Sequence, residues 1–310
     1  MKNVLFMNSK NIYKANLHCH TTVSDGSLTP EEIKTAYTAK GYSIVAFTDH
    51  RILRPQSHLN DSTFLAVNAC EMDLNESVSG KSWGSVKTYH LNLYAVNPEM
   101  TETPPVPRMS YSDAGALNEY IRDRNNEGFL VCYNHPYWSL QDYTDYSKLK
   151  GLFAMEIYNH GCEMEGYYGY SPQPYDEMLR AGNTLHCVSA DDNHNRHPLD
   201  SAESDSFGGY VMIGSASLHY EDVMDALMRG NFYSTQGPEI YELSLENNKL
   251  FIKCSDADLI AVYTDSRRCY LKRGGSMTEA EFEITGQHKY IRVMIRDKNK
   301  KDANSNAFWL

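Results

Sequence analysis

The 310-residue chain has 41% hydrophobic and 22% charged residues, ordinary globular usage that excludes a disordered or fibrous protein and leaves room for one large domain plus a small one. Its formal net charge of -11 is uneven, with 17 basic and 29 acidic residues up to Gly237 against 12 and 11 beyond it. An acidic first part argues against nucleic acid as an obligate partner and suits a site where carboxylates gather cations. No stretch reaches the roughly 18 apolar residues of a membrane span, and the apolar run at residues 4–7 is too short for a signal peptide, so a cytoplasmic protein without a membrane partner is expected. Seven cysteines without a C-x-x-C pair read as buried, reduced thiols; Cys19, Cys70, Cys132 and Cys187 fall inside strand-like runs.

Strand-like runs at residues 15–20, 43–50, 64–74, 89–96, 129–135, 152–159, 184–194 and 209–218 alternate with helical patterns, which predicts parallel β/α units in a layered or barrel α/β fold. Pro30 opens the first helix and Gly41 closes it; residues 112–128 and 220–230 read as helices for similar reasons. Residues 101–107, with three prolines, read as an extended loop. After Gly237 the pattern changes to strand-like segments at 242–246, 249–254, 259–264, 281–285 and 290–296 with no helix among them. The chain therefore divides into residues 1–237 and a small antiparallel, sandwich-like β domain at 238–310.

Chemistry-bearing residues fall at the ends of these strands, where parallel β/α folds place their sites. His18 and His20 are two apart on a strand, so they point the same way and can hold one ion. Asp25 follows. His50 ends the second strand, the third carries Glu71, the fourth opens with His90, and the fifth ends at His135. Asp192 and His194 end the seventh and again share a face. Six of the twelve histidines stand at such positions, which sets the group apart from scattered core histidines.

The blocks His18-x-His20 with Ser24-Asp25-Gly26, Thr48-Asp49-His50, Asn134-His135-Pro136 and Asp192-x-His194 resemble the PHP family, the polymerase and histidinol phosphatase phosphoesterases, over residues 16 to about 235. The resemblance implies a distorted (β/α)7 TIM-like barrel holding two or three divalent ions, Zn²⁺, Mn²⁺ or Fe²⁺. It places His18, His20, Glu71 and Asp192 on the first ion. Glu71 bridges to a second ion with His90 and His135, and Asp25, His50 and His194 surround a third. Some relatives carry a histidine where this chain has Asp25, a harder ligand that favours Mn²⁺ or Fe²⁺.

Two cations bridged by a carboxylate turn water into hydroxide near neutral pH and clamp a tetrahedral anion, the requirements of phosphate-ester hydrolysis. The expected activity is hydrolysis of a small phosphorylated metabolite or nucleotide. His194, His50 and Asp192 are the catalytic candidates, with His194, His50 or a metal-bound water protonating the leaving group. Arg51 and Arg196 are the phosphate-binding candidates, and Lys87 is a weaker one. Asn159 faces the site as a substrate contact or a support, as do Glu156 and Tyr158; Tyr167, Tyr168 and Tyr170 are candidates for stacking. Asp49 reads as an orienting partner for a ligand imidazole or as a structural acceptor. The alternatives are an oligonucleotide-end phosphatase or nuclease, hydrolysis of a non-phosphate bond such as an amide, and a C-terminal domain that binds carbohydrate or protein rather than packing on the barrel.

Overall fold

Thr29 caps the first helix by accepting from the Glu32 amide while Glu32 reaches back to the Thr29 amide, and Pro30 takes the first helical position. This is α1 (Pro30–Thr38), whose Ile33 and Tyr37, four apart, pack on Val45, Phe47 and Phe64. The structure, a computed structural model, describes residues 3–7 and 11–310.

The first described strand, β1 (Asn3–Met7), is followed by β2 (Ile12–Asn16), β3 (Ile44–Phe47) and β4 (Leu65–Asn75). β2, β3 and β4 pair in parallel. Next come β5 (Thr88–Ala95), α2 (Ala114–Asn126) capped by Asp113, and β6 (Phe129–Tyr133). Then follow α3 (Tyr143–Tyr146), β7 (Ala154–Asn159), α4 (His160–Gly166), α5 (Pro172–Arg180) and β8 (His186–Ala190). β6, β7 and β8 are again parallel, but β5 runs antiparallel to both β4 and β6. The expectation of uniformly parallel β/α units is corrected at this strand and again at Tyr210–Gly214, which pairs antiparallel with β2. No α-helix crosses over between β4 and β5, so the chain turns straight back. The reversal explains why His90 opens its strand while His50, His135 and Asp192 follow the ends of theirs: both ends lie at one edge.

Past Ala190 the chain leaves the strand earlier than the expected end at His194, and Asp192 adopts φ 54°. Backbone hydrogen bonds from the Asp192 amide to the His18 carbonyl (2.9 Å) and from the His20 amide to the Asn193 carbonyl (3.1 Å) carry the end of β8 back to the extension of β2. The chain continues through β9 (Tyr210–Gly214), α6 (Tyr220–Met228) and β10 (Phe232–Thr235). Between the strands and α6 lies a core of Leu17, Ile44, Val67, Val223 and Leu227.

Beyond Gly237 follow β11 (Ile240–Glu246), β12 (Lys249–Thr264), β13 (Cys269–Glu283), β14 (Tyr290–Arg296), β15 (Asp302–Ser305) and β16 (Phe308–Trp309). Residues 249–264, read from sequence as two strands, form one strand with irregular pairing near Ala257; polar Ser255, Asp256 and Asp258 interrupt its alternation. This region joins the rest intimately. β1 pairs with β11, β15 pairs with β10, and β10 pairs with β9, which continues to β2. Arg292 on β14, 2% exposed, makes a two-toothed pair with Asp176 on α5 at 2.6 and 2.7 Å. The fold is mixed α/β with a large sheet, and six of its seven free cysteines are buried.

His186 packs edge-on between the rings of Phe153 and Phe232, and burial pulls its pKa down to about 4. The unfolded chain binds that proton near pH 6.5 and the folded one does not, so stability falls as pH drops through the 6.5-to-4 window, by at most about 3 kcal/mol for this group. His186→Phe is expected to flatten that acid limb. Urea titrations at pH 7 and pH 4.5 check it: the stability lost between them shrinks in the variant, and an unchanged loss refutes the assignment.

Candidate metal centre

The strand edge that collects these side chains is tied together by main-chain bonds. The Arg51 amide donates to the Glu71 carbonyl (2.8 Å), the Asn134 amide to the His90 carbonyl (3.0 Å), and the Asp192 amide to the His18 carbonyl (2.9 Å). Neighbouring strand ends are thereby locked in register, and the side chains they carry meet in the middle. His18, His20, Glu71, His90 and His135 are all at most 5% exposed.

His18 Nε2 lies 3.1 Å from His20 Nε2, 3.1 Å from Asp192 Oδ1 and 3.3 Å from Glu71 Oε1. His20 Nε2 lies 3.1 Å from Asp192 Oδ1 and 3.5 Å from Glu71 Oε2. Donors about 2.0–2.2 Å from one central ion stand roughly 3.0–3.5 Å from each other, so these separations are ones that ligands of a single ion would have. The Nδ1 of His20 is buried without a hydrogen-bond partner, a cost that a charged or metallated neighbourhood removes. Of the four residues expected at the first ion, His18, His20 and Asp192 form one group of donors, and Glu71 meets it through His18 and His20.

Glu71 sits at the centre. Its Oε1 is 2.9 Å from His90 Nδ1 and 3.6 Å from His135 Nε2, and its Oε2 is 3.1 Å from His50 Nδ1. His18, Glu71 and His135 form one group of donors mutually within 4.8 Å, and His20, Asp25, His50 and His194 form another. Asp25, His50 and His194, expected around a third ion, lie together with His20 beside them. Asp25 approaches His194 Nε2 at 3.4 Å and His50 Nε2 at 3.8 Å. Among the described residues His90 belongs to none of these groups and meets the cluster through Glu71.

Support comes from residues that sequence reasoning placed less surely. Glu156 Oε1 pairs with His18 Nδ1 at 2.7 Å, fixing the ring so that Nε2 faces the centre. The Asn134 amide donates to Glu71 (2.8 Å). Asp49 accepts from Thr21 and Ser24, main chain and hydroxyl, so it holds the 21–24 turn rather than a ligand imidazole. Gly26 closes that turn, where a Cβ would stand 2.5 Å from the His20 carbonyl.

Charge balance follows from this packing. Burial opposes protonation of His18, yet Asp192, Glu156 and Glu71 hold its pKa well above the ordinary value. Burial opposes ionisation of Glu71, but His90, His18 and His50 keep it well below the carboxylate range. His20, surrounded by other imidazoles, is driven by burial and by His194 down to about 3. Burial lowers His194 too, but Asp25 and Asp192 outweigh it and push the pKa up to about 9. Protons on His18 and His194 thus balance the carboxylates, and a cation entering the cluster would displace them.

A cavity of about 490 Å³ opens over the donors, lined among others by Trp83, Trp138, Arg196, His197, Glu203 and Asp205. Of the two arginines expected to bind phosphate, Arg196 lies on this wall, 3.4 Å from Asp25 and largely exposed. Arg51 is corrected: its guanidinium is taken by Asp73 at 2.6 and 2.6 Å, and it does not line the cavity. Asn159 is corrected as well. It is fully buried, donating to Glu156 (2.9 Å) and Asp192 (3.0 Å) and accepting from the Cys162 amide (2.9 Å), so it positions Asp192 from behind. Lys87 is paired with Asp142 and Asp145 away from the site. The tyrosines of the 167–170 loop are not on the cavity wall, where Met164, Glu165 and the two tryptophans stand instead. A lone tryptophan near a motif carries no sequence signal of this role.

Glu156→Gln is expected to lower metal affinity by roughly 10- to 100-fold, because the His18 ring loses the acceptor that orients it. Competition with a chromophoric chelator measures this, and an affinity equal to that of the unaltered protein contradicts it.

The fold is similar to that of solved structures described as PHP-like or metal-dependent phosphoesterases. The chain superposes with a TM-score of 0.51 on a two-domain protein from Bacteroides vulgatus containing a predicted PHP-like metal-dependent phosphoesterase, at 13% identity, covering 99% of this chain and 97% of that one. Similarity also extends to an inferred metal-dependent phosphoesterase from Bifidobacterium adolescentis (TM-score 0.39, 13% identity, 61% of this chain and 91% of that one). A third is an amidohydrolase from Chromobacterium violaceum (TM-score 0.37, 15% identity, 58% and 87%). No family model matches the sequence, and no curated protein does. No helix among the described residues is long and apolar enough to cross a membrane.

Proposed function

We propose that the protein is a metal-dependent phosphoesterase acting on a small phosphorylated metabolite or nucleotide. The observation that carries this reading is the set His18, His20 and Asp192, whose donor atoms stand 3.1 Å from one another, with Glu71 3.3 Å from His18 and 3.5 Å from His20. The likeness of fold to a protein described as PHP-like supports it. Strands β2 to β8, with residues 191–193 returning to residues 18–20, are consistent with the distorted (β/α)7 barrel of that family.

His18, His20, Glu71 and Asp192 would hold a first divalent ion, Glu71 with His135 and His90 a second, and Asp25, His50 and His194 a third. Zn²⁺, Mn²⁺ and Fe²⁺ all suit imidazole with carboxylate. Such ions, when bound, supply a hydroxide near neutral pH and neutralise charge on phosphoryl oxygens. The chain's own groups do the rest. Asn159 and Glu156 keep Asp192 and His18 aimed at the centre, so no reorganisation is needed on binding. Arg196, at the mouth, offers a planar two-toothed fork to a phosphate entering the cavity. With the third ion in place, a water on it would pass a proton to the leaving oxygen; without that ion, His194 or His50, both on the cavity wall, would do so. The cavity is enclosed on one side by Trp83 and Trp138, whose ring centroids are 5.7 Å apart, which favours a small substrate over a polymer.

The test is release of phosphate from a panel of phosphomonoesters and of p-nitrophenol from a bis-p-nitrophenyl diester, with added Mn²⁺, Zn²⁺ or Fe²⁺. Turnover that is lost with chelator and restored by metal supports the reading. No ester cleaved with any metal sinks it, and cleavage of amides alone would transfer the site to the amide-hydrolase alternative.

A further inference from the structure

The donor cluster contains a sulfur. Cys162, 3% exposed, places its Sγ within 4.8 Å of donor atoms of both His135 and Asp192, and those two lie 3.7 Å from each other. The chain is built to bring it there. α4 begins directly after β7, and Asn159 caps it by accepting from the Cys162 amide while its own amide donates to Asp192. One side chain thus spaces Cys162 from Asp192. The first turn of α4 presses against the Asp191–Asp192 main chain: the Gly161 amide donates to the Asp191 carbonyl at 2.7 Å, and a Cβ at residue 161 would meet the Asp192 carbonyl at 2.9 Å. Glycine permits that approach. Cys19, Cys132 and Cys187 give their sulfurs to carbonyls or a hydroxyl, whereas the sulfur of Cys162 makes no hydrogen bond among the described residues and borders the cavity.

We propose that Cys162 is a thiolate ligand of the second ion, beside His135, with Asp192 Oδ2 turned toward that ion while its Oδ1 faces His18 and His20. This rests on the metal-dependent reading above. On binding, the sulfur–metal bond forms as the S–H bond breaks, the proton leaves to solvent, and no electron is transferred. In the free protein, burial and the nearby carboxylates keep the thiol protonated; a coordinated cation reverses that balance. A sulfur ligand also sets a preference. Thiolate with imidazole and one carboxylate suits Zn²⁺ or Fe²⁺ at this position, while the oxygen-bearing group of Asp25, His50 and His194 accepts Mn²⁺ more readily, so a mixed complement of ions is expected.

Cobalt(II) titration of the metal-free, full-length protein tests this. Visible d–d bands report that ions bind, and a near-ultraviolet sulfur-to-cobalt charge-transfer band reports a thiolate ligand. The expected result is both signals in the unaltered protein and loss of the charge-transfer band alone in Cys162→Ser and in Cys162→Ala, with circular dichroism unchanged. Cobalt bound without the charge-transfer band overturns the cysteine assignment and leaves the metal reading intact. A band that persists in both variants also overturns it, by pointing to another thiol. Absence of d–d bands in the unaltered protein removes the metal reading and this inference together.

Discussion

Glu71→Gln is expected to strip metal from the centre and lower esterase turnover by more than about 100-fold, beyond the loss produced by removing a partner that only orients a ligand. The substitution keeps the shape of the side chain and removes its charge. Glu71 is the single carboxylate that meets His18, His20, His50, His90 and His135, at 2.9–3.6 Å. Without it only Asp192 remains beside His18, His20 and His135, and the first and second groups lose their common member. Turnover with saturating Mn²⁺ and metal content by mass spectrometry read the effect. Retained turnover would mean that Glu71 is a buried structural acceptor and that the centre lies elsewhere.

Asp176→Asn is expected to cost about 3–5 kcal/mol of folding stability, because it strands the Arg292 guanidinium, 2% exposed, without its partner. The reverse change, Arg292→Met, leaves Asp176 nearer the surface, at 18% side-chain exposure, where water replaces part of the lost interaction, so its cost is smaller. The double variant should recover part of the first loss, since no unpaired charge is then buried. Urea unfolding measures all three. Since Arg292 stands on β14 and Asp176 on α5, a large effect would also show that the C-terminal strands stabilise the part that carries the metal centre. Equal, small losses in both single variants would show the pair to be well hydrated.

The candidate ligands were legible because two simple signals coincide in them: a period of two in His18-x-His20, and polar residues at the ends of apolar runs. Both are local. Pairing across the fold is not, and that is where the reading changed. Arg51 follows His50 directly, and nothing nearby in the chain tells that Asp73, 22 residues on, takes its guanidinium. Asn159 ends its strand on the correct side, yet lies behind Asp192 because α4 starts at once and uses it as a cap. Cys162 reads as an ordinary small hydrophobe until α4 folds onto the Asp191–Asp192 segment. The reversed β5 was hidden for a related reason, since neither alternation nor burial records a strand's direction. Its clue was His90 at the wrong end for a parallel strand. In the C-terminal part, the bulged β12 looked like two strands because Ser255, Asp256 and Asp258 break its alternation, and the pairing of β1 with β11 joins residues more than 230 apart in sequence.

Metal analysis of protein purified without chelator tests the central claim most directly. The account predicts two or three divalent ions per chain, falling by at least one in Asp192→Ala, whose carboxylate lies 3.1 Å from both His18 and His20. Fewer than two ions in the unaltered protein, with none taken up on incubation with Mn²⁺, Zn²⁺ or Fe²⁺, would contradict it and leave the histidine cluster as a buried polar core.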